Sequence, residues 1–319
     1  MNVGATGDPV LPASLQSLSP VTINGNAGLS VLNQYGTLTT NSDGSITFDG
    51  NGDQVPSLNL QNISGFTVTD TVIGNTGSGG GITISGNSND IVVTNSTFSD
   101  VGYGVGVFQS GNVDPTNIGV INNTFSDITG PWPSASAVAF DGAGSSATPA
   151  APNGENVVAN NTVNDSSTDA ALSGQDIMSF YEYGDGANNA QTLVYANSIS
   201  GSYTPADGSH PPDTAINFEM SNGGTVAGNF VTGQSNAGIA NDGSTNTNFI
   251  GNMVTDSTGD YAINTEGGIS PTGAWTYNSA DMTPQVAVND PSSAARGWPP
   301  VYAPNGPPND PGNTNSFDV

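Results

Sequence analysis

The sequence predicts an all-β protein made of repeated coils, a β-solenoid of about nine to ten coils. Three observations predict this class: two columns of apolar residues, a polar column between them, and strand-like runs that alternate apolar and polar side chains. Turns rich in Gly, Asn, Asp and Ser separate these runs. The only helix we expect is a short one in "LPASLQSL" at 11–18.

The two apolar columns lie five residues apart in each of seven copies. The later column contains Ile73, Phe98, Phe125, Val163, Ile199, Val231 and Val254. The earlier column contains Val68, Val93, Val120, Val158, Val194, Val226 and Phe249. Because one side of each strand faces a core, we expect both columns to fill the interior of the solenoid.

The polar column lies two residues before the later apolar column. Its members are Thr71, Ser96, Asn123, Asn161, Asn197, Asn229 and Asn252. Backbone groups at a buried bend need hydrogen-bond partners, and an Asn side chain supplies both a donor and an acceptor. We therefore predict that this Asn ladder satisfies the backbone where each coil bends.

A second strand-like run belongs to most copies and has a period of two. The runs are "GITIS" (81–85), "VGVFQ" (105–109), "AVAFDG" (137–142), "AINFEM" (215–220), "AGIAND" (237–242) and "YAINTE" (261–266). This period is typical of strands with one buried face. Each run is predicted to form one side of its coil.

The copies of the later column are spaced by 25, 27, 38, 36, 32 and 23 residues. Together with the series from Asn123 to Asn252, this spacing resembles that of the pectate-lyase-like superfamily. The resemblance implies a single-stranded right-handed parallel β-helix with inward Asn residues stacked from coil to coil. We expect an N-terminal cap at 1–30, the β-helix at 31–267, and an extended C-terminal tail at 268–319.

The charge of the chain excludes several classes of function. One Arg, no Lys, one His and 27 acidic residues give a net charge of −26. Such a chain cannot neutralise phosphates, so nucleic-acid binding is excluded and attraction to an anionic membrane is not expected. The absence of Cys excludes disulfides and thiolate metal sites.

The start of the sequence shows neither a basic, apolar leader nor a transmembrane segment. The acidic, Cys-free composition resembles that of bacterial substrates of type I secretion. We therefore expect an extracellular or cell-surface bacterial protein exported without an N-terminal signal peptide.

An acidic row is predicted on the outer face of the coils. If Val138, Ile216, Ile239 and Ile263 face inward, the residues three positions later face outward. The predicted row contains Asp141, Glu182, Glu219, Asp242 and Glu266. Like charges on neighbouring strands repel each other, so the clustering of five acids in one row requires an explanation. Three explanations stay open: Ca²⁺ ions bridge these five residues, two of the acids form a catalytic pair, or the row is solvated and its repulsion is screened by salt.

The enzymatic alternative is a glycoside hydrolase that acts on a neutral polysaccharide. Its candidate acids and bases are Glu182, Glu219, Asp141 and Asp185, and its candidate sugar-stacking residues are Tyr181, Tyr183 and Trp132. The resemblance implies Arg, Lys or His at the sites of uronan-cleaving members. Here Arg296 lies in the tail and His210 in a Pro-rich segment, so cleavage of an anionic uronan is disfavoured.

The tail loses the repeat and becomes rich in Pro, with Trp275, Trp298 and Tyr302 among the prolines. Such a segment predicts a clasp along its own helix, an inter-subunit segment or a secretion signal. The leading hypothesis is a secreted, non-catalytic solenoid that forms a homo-oligomer, filament, sheet or surface layer, or that acts in adhesion to a polysaccharide or cell surface. The carbohydrate-active β-helix is the alternative.

Overall fold

Three sheets run along a computed structural model of the chain. The residues that it describes are 18–77, 79–110, 115–128, 130, 135–141, 156–164, 176–181, 190–201, 214–233, 237–255, 259–264, 273–276 and 279–280. The chain visits sheets I, II and III in turn, and strands of successive coils lie side by side.

Sheet I contains nine strands within the described ranges. They are Val21–Asn24, Leu58–Gln61, Gly80–Ser85, Tyr103–Phe108, Val138–Asp141, Asp176–Tyr181, Thr214–Glu219, Ala237–Asp242 and Gly259–Asn264. All eight neighbouring pairs are parallel.

Sheet II contains ten described strands and sheet III eight. Sheet II consists of Thr37–Thr40, Ile46–Asp49, Ser64–Thr69, Asn89–Thr94, Thr116–Ile121, Asn156–Ala159, Ala190–Tyr195, Gly223–Ala227, Asn248–Ile250 and Trp275–Thr276. Sheet III consists of Val72–Gly74, Thr97–Val101, Thr124–Ile128, Thr162–Asn164, Ser198–Ser200, Phe230–Thr232, Met253–Thr255 and Ser279–Ala280.

This topology confirms the predicted parallel β-helix and its number of coils. A chain that passes through three sheets and returns one strand further along each of them winds as a solenoid. The one antiparallel pair among the described strands joins Thr37–Thr40 to Ile46–Asp49 at the start of sheet II. No helix among the described residues is long and apolar enough to cross a membrane.

Both predicted apolar columns are confirmed as interior rows. Every member of the two columns has an exposed fraction of 0%. The register places Val68, Val93 and Val120 directly side by side in sheet II, and Ile73, Phe98 and Phe125 side by side in sheet III. Each coil therefore contributes the same two core positions, and the core continues from coil to coil.

Phenylalanine rings form stacks within this core. Phe98 and Phe125 are stacked with ring centroids 4.9 Å apart. Under sheet I, Phe180 lies between Phe140 and Phe218, at centroid distances of 5.6 and 4.6 Å. Parallel in-register strands bring equal residues together, so one Phe per coil is enough to build a continuous stack.

The N-terminal end of the β-helix lies earlier than predicted. Val21–Asn24 already pairs with Leu58–Gln61 in sheet I, before the predicted boundary at residue 31. A 3-10 helix that the sequence did not predict follows at Asn26–Gln34 and buries Leu29 and Leu32 against the core. The short helix predicted at 11–18 falls almost entirely outside the described residues.

The C-terminal end of the β-helix lies later than predicted. Trp275–Thr276 and Ser279–Ala280 extend sheets II and III by one strand each. The predicted boundary at 267 is therefore too early, and Trp275 belongs to a strand instead of the tail. Trp298 and Tyr302 lie outside the described residues.

A left-handed backbone conformation recurs at the bend before each ladder position. The residues with this positive φ are Asp70, Asn95, Asn122, Asn160, Ala196, Gly228 and Gly251. Gly, Asn and Asp adopt this conformation most readily, because a Cβ atom otherwise crowds the next carbonyl oxygen. Ala196, with a φ of 54°, is the member of the series that lacks this tolerance.

We expect Ala196→Gly to raise the free energy of unfolding by about 0.5–1 kcal/mol, because it relieves the left-handed strain of an alanine. Urea denaturation measures the change. Ala227→Gly is the matched control, since Ala227 ends a strand in the next coil and precedes the bend. The control is expected to lower stability by about 0.5–1 kcal/mol. If both variants changed the free energy of unfolding in the same direction, Ala196 would not be strained.

Candidate functional site

The outer face of sheet I carries the residues predicted as a functional row. The register aligns Phe108 with Asp141, Asp141 with Tyr181, and Tyr181 with Glu219 in successive coils. Asp242 follows Asn241, the register partner of Phe218, and so takes the next place in the row. The inward orientation assumed for Val138, Ile216 and Ile239 is confirmed by their burial.

At two positions the register places another residue in the predicted row, and the predicted acids Glu182 and Glu266 lie outside the described residues. Tyr181, not Glu182, lies between Asp141 and Glu219, because Met178 and Phe180 take the inward positions of their strand. At the last coil, Tyr261 lies beside Ile239, so that Asn264 and not Glu266 lies beside Asp242. The described row is therefore Phe108, Asp141, Tyr181, Glu219, Asp242 and Asn264.

Two aromatic rings pack closely against glycines at the start of this row, and this feature was not predicted from the sequence. A Cβ atom at Gly80 would come within 1.9 Å of the Tyr103 ring, and one at Gly106 within 2.3 Å of the Phe108 ring. The two rings contact each other edge to face, with centroids 5.7 Å apart. The Tyr103 hydroxyl also shares a hydrogen bond with Thr83.

These contacts define an aromatic platform formed by Tyr103 and Phe108. Glycines inside a strand often mark a place where another group approaches the backbone closely. In the sequence this signal was available as "GGGITIS" at 79–85 and "YGVGVF" at 103–108. The platform lies directly beside Asp141, since Phe108 and Asp141 are register partners.

The carboxylates of the row differ in their surroundings. Asp141 keeps an exposed side chain, yet neighbouring protein removes enough water from its carboxylate to raise its pKa. Glu219 and Asp242 are half-buried. A raised pKa means that Asp141 holds a proton at a higher pH than an Asp in water does.

Strand spacing sets the distances within the row. Neighbouring strands lie about 4.8 Å apart, which puts the Cα atoms of Glu219 and Asp242 about 5 Å apart and those of Asp141 and Glu219 about 10 Å apart. Among the described residues, no three His, Cys, Asp or Glu side chains are grouped closely enough to hold a metal ion. Coordination of Ca²⁺ by the row stays a prediction.

The remaining predicted site residues fall outside the described part of the chain. They are Glu182, Asp185, Glu266, Trp132, Tyr183 and His210. The connections that contain five of them join strands beside the row: 129–137 precedes Val138–Asp141, 182–189 follows Asp176–Tyr181, and 202–213 precedes Thr214–Glu219. Their roles stay predictions.

No family model and no curated protein matches the chain. Among solved structures it is similar to PfbA, a surface adhesin of Streptococcus pneumoniae, at 10% identity and a TM-score of 0.37, with 86% of this chain and 79% of that chain covered. It is also similar to a double mutant of the periplasmic alginate epimerase AlgG, at 13% identity and a TM-score of 0.30, covering 86% and 75%. The A-module of the Azotobacter vinelandii mannuronan C-5 epimerase AlgE6 gives 12% identity, a TM-score of 0.32, and coverage of 80% and 81%. Values this low say nothing about activity.

Proposed function

We propose that this protein is an extracellular or surface-attached β-helix that binds a neutral polysaccharide along the outer face of sheet I. The observation that carries the proposal is the aromatic platform of Tyr103 and Phe108, laid over Gly80 and Gly106 and continued in register by Asp141 and Tyr181. An adhesive, non-catalytic role is the form that we favour.

The chemistry of the row suits a sugar chain. Flat aromatic rings pack against the C–H faces of sugar rings and bury apolar surface there. Carboxylates accept hydrogen bonds from hydroxyl groups, and bonds to a charged acceptor are stronger than those between neutral groups. A row that repeats every strand offers these contacts at a regular spacing, as an extended polymer requires.

The negative charge of the protein favours the binding of a neutral glycan over an anionic one. The net charge is −26, and the single Arg and the absence of Lys leave almost nothing to pair with an anionic sugar. A polyuronate would meet like charge along the whole row and be repelled. Neutral glucans, mannans and galactans carry no such penalty.

Binding to an immobilised panel of these neutral polysaccharides tests the proposal. The informative variant is Gly106→Ala, whose new Cβ atom would displace the Phe108 and Tyr103 rings without deleting either of them. We expect this change to weaken binding to the best glycan of the panel about 10-fold.

The matched control is Gly119→Ala in sheet II, where the new Cβ atom would meet side chains no closer than 3.4 Å. Its affinity should equal that of the wild type, because Gly119 is remote from the platform. The proposal is contradicted if no neutral glycan binds, or if Gly106→Ala and Gly119→Ala bind equally well.

A hydrolytic role is the second candidate, and the raised pKa of Asp141 favours it. A glycosidase needs one protonated and one ionised carboxyl group, and inverting enzymes hold the pair about 6.5–9.5 Å apart. We assign Asp141 as the acid and Glu219 as the base; their Cα atoms lie two strands apart, about 10 Å. Release of reducing ends by the wild type, abolished by Asp141→Asn and by Glu219→Gln, would establish hydrolysis. Binding without release would establish adhesion.

Two earlier expectations remain proposals about the same protein. A Ca²⁺ ion bridging Glu219 and Asp242 would offset the repulsion of these adjacent carboxylates. Homo-oligomeric assembly is the other. Sedimentation of the purified protein at several concentrations reports assembly, and titration of the wild type and of Glu219→Gln with Ca²⁺ reports binding at the row.

A further inference from the structure

Large hydrophobic side chains are exposed at few places on the described part of the molecule. They are Val31, Phe230, Ile250 and Met253, with exposed fractions of 38%, 39%, 39% and 44%. Val31 belongs to the N-terminal 3-10 helix. The other three lie together, and we call them the corner patch.

The corner patch lies where sheet II bends into sheet III. Phe230 and Met253 are register partners at the start of neighbouring strands of sheet III. Ile250 ends the preceding strand of sheet II, and the bend at Gly251, with a φ of 60°, separates it from Met253. The three residues thus place exposed apolar side chains at the same bend of two successive coils.

Other coils of sheet III show which residue types occupy the position of Phe230 and Met253. In the earlier coils the residues aligned with Phe230 and Met253 are Thr97, Thr124, Thr162 and Ser198. The column begins with the half-buried Val72 and ends with Ser279. Polar residues therefore suit most of this column, and Phe230 and Met253 place two exposed apolar side chains in neighbouring coils. Exposed apolar side chains that lie side by side indicate a surface that something covers.

The last two described strands lie directly beside the patch. Thr276 is the register partner of Ile250, and Ser279 is the partner of Met253. Residues 281–319 follow at once. A segment that starts next to its docking surface needs only a short loop to return, and loop closure of this size costs little.

The composition of residues 281–319 suits an apolar ridge. Trp298, Val301 and Tyr302 lie among prolines, which keep the segment extended and reduce the entropy that docking would cost. The segment holds the one Arg and only four of the 27 acids. A second copy of the whole chain would instead bring a net charge of −26 against an equal charge.

We propose that residues 281–319 fold back and cover the corner patch of their own solenoid. Trp298, Val301 and Tyr302 supply the apolar contacts to Phe230, Ile250 and Met253. The tether gives the segment a high effective concentration at the patch, which a separate molecule does not have.

The sequence provides a specific probe of this arrangement. Because Arg296 is the one Arg and Lys is absent, trypsin has a single cleavage site in the protein, two residues before Trp298. The cleavage rate of a docked segment follows the fraction of time that it is undocked. A synthetic peptide of residues 281–319 gives the rate without protection.

We expect wild-type protein to be cleaved at least about 10-fold more slowly than the peptide. The variant with Phe230→Thr, Ile250→Thr and Met253→Thr should be cleaved at nearly the rate of the peptide. Thr is the residue that the column of Phe230 and Met253 holds in three other coils, and Phe230→Thr alone should give an intermediate rate. Val31→Thr is the matched control and should keep the protection of the wild type.

Three outcomes would overturn the proposal. Cleavage of the wild type at the rate of the peptide would show an undocked segment. Equal protection in the patch variants and in Val31→Thr would place the segment elsewhere. Protection that is lost on about 100-fold dilution would assign the contact to a second copy, because docking within one chain does not depend on concentration.

Discussion

Replacing Asn161 by Leu is expected to lower the free energy of unfolding by about 3–5 kcal/mol. The Asn161 Oδ1 atom accepts hydrogen bonds from the backbone N–H of Asn123 at 3.0 Å and from its Nδ2 at 3.1 Å. The Asn161 Nδ2 donates to the Val120 carbonyl at 2.8 Å and to Asn197 Oδ1 at 2.9 Å. Leu has a similar volume but leaves buried polar groups without partners.

Urea denaturation measures this loss, and Asn164→Leu is the matched control. Asn164 lies three residues further along the same coil with an exposed side chain. Its replacement should change stability by no more than about 0.5 kcal/mol. If both variants unfolded at the same urea concentration, the ladder would not contribute to stability as the geometry requires.

Replacing Phe180 by Ala is expected to cost about 3–5 kcal/mol as well, because it opens a cavity in the middle of a stack. The side chain is fully buried, between Phe140 and Phe218. Both neighbours lose ring contacts, and parallel strands fixed by the ladder cannot close the gap by moving together. Thermal and urea unfolding both report the change.

Val31→Ala serves as the control for Phe180→Ala, since Val31 is 38% exposed and lies outside the corner patch. Its removal should cost less than about 1 kcal/mol. A loss for Phe180→Ala as small as that of the control would mean that the stacked rings are not a stabilising part of the core.

The interior of the molecule was predictable from sequence because its rules are local and repeated. Val120, Asn123 and Phe125 stand at fixed offsets, and the same offsets return in every copy. In-register parallel strands then place equal positions side by side, so one correctly interpreted coil predicts the others. The interior positions of sheets II and III and the role of the Asn residues followed in this way.

The outer face was less predictable because several residues of one strand are apolar enough to face inward, and which of them do so decides which residues face outward. In "DIMSFYEY" several residues are apolar or aromatic, and the choice of Met178 and Phe180 as the inward pair moves Tyr181 into the acidic row. In the last coil Tyr261 takes the inward place, and its hydroxyl donates to the Asn252 carbonyl. A shift of one residue exchanges the inward and outward side chains of a strand, and a shift of two changes which outward side chain lies beside a given neighbour.

The aromatic platform escaped prediction for a related reason. Tyr103 and Phe108 look like core residues in a sequence, since aromatic residues in strands are most often buried. Only the contacts with Gly80 and Gly106 show that the rings lie on the outside of the sheet. Glycine pairs in neighbouring coils are therefore the sequence signal that we would look for in other chains of this kind.

The Asn ladder also gives the molecule an electrical direction. In each of the steps from Asn123 to Asn252, the side-chain carbonyl faces the coil before it and an amide N–H faces the coil after it. The amide dipoles consequently point the same way and polarise one another along the axis, as peptide groups do in a helix. At Ser96 and Thr71 hydroxyl groups replace the amides, so this aligned array begins only at Asn123. The solenoid is thus polar along its axis, with the negative end of the array toward its N-terminal coils.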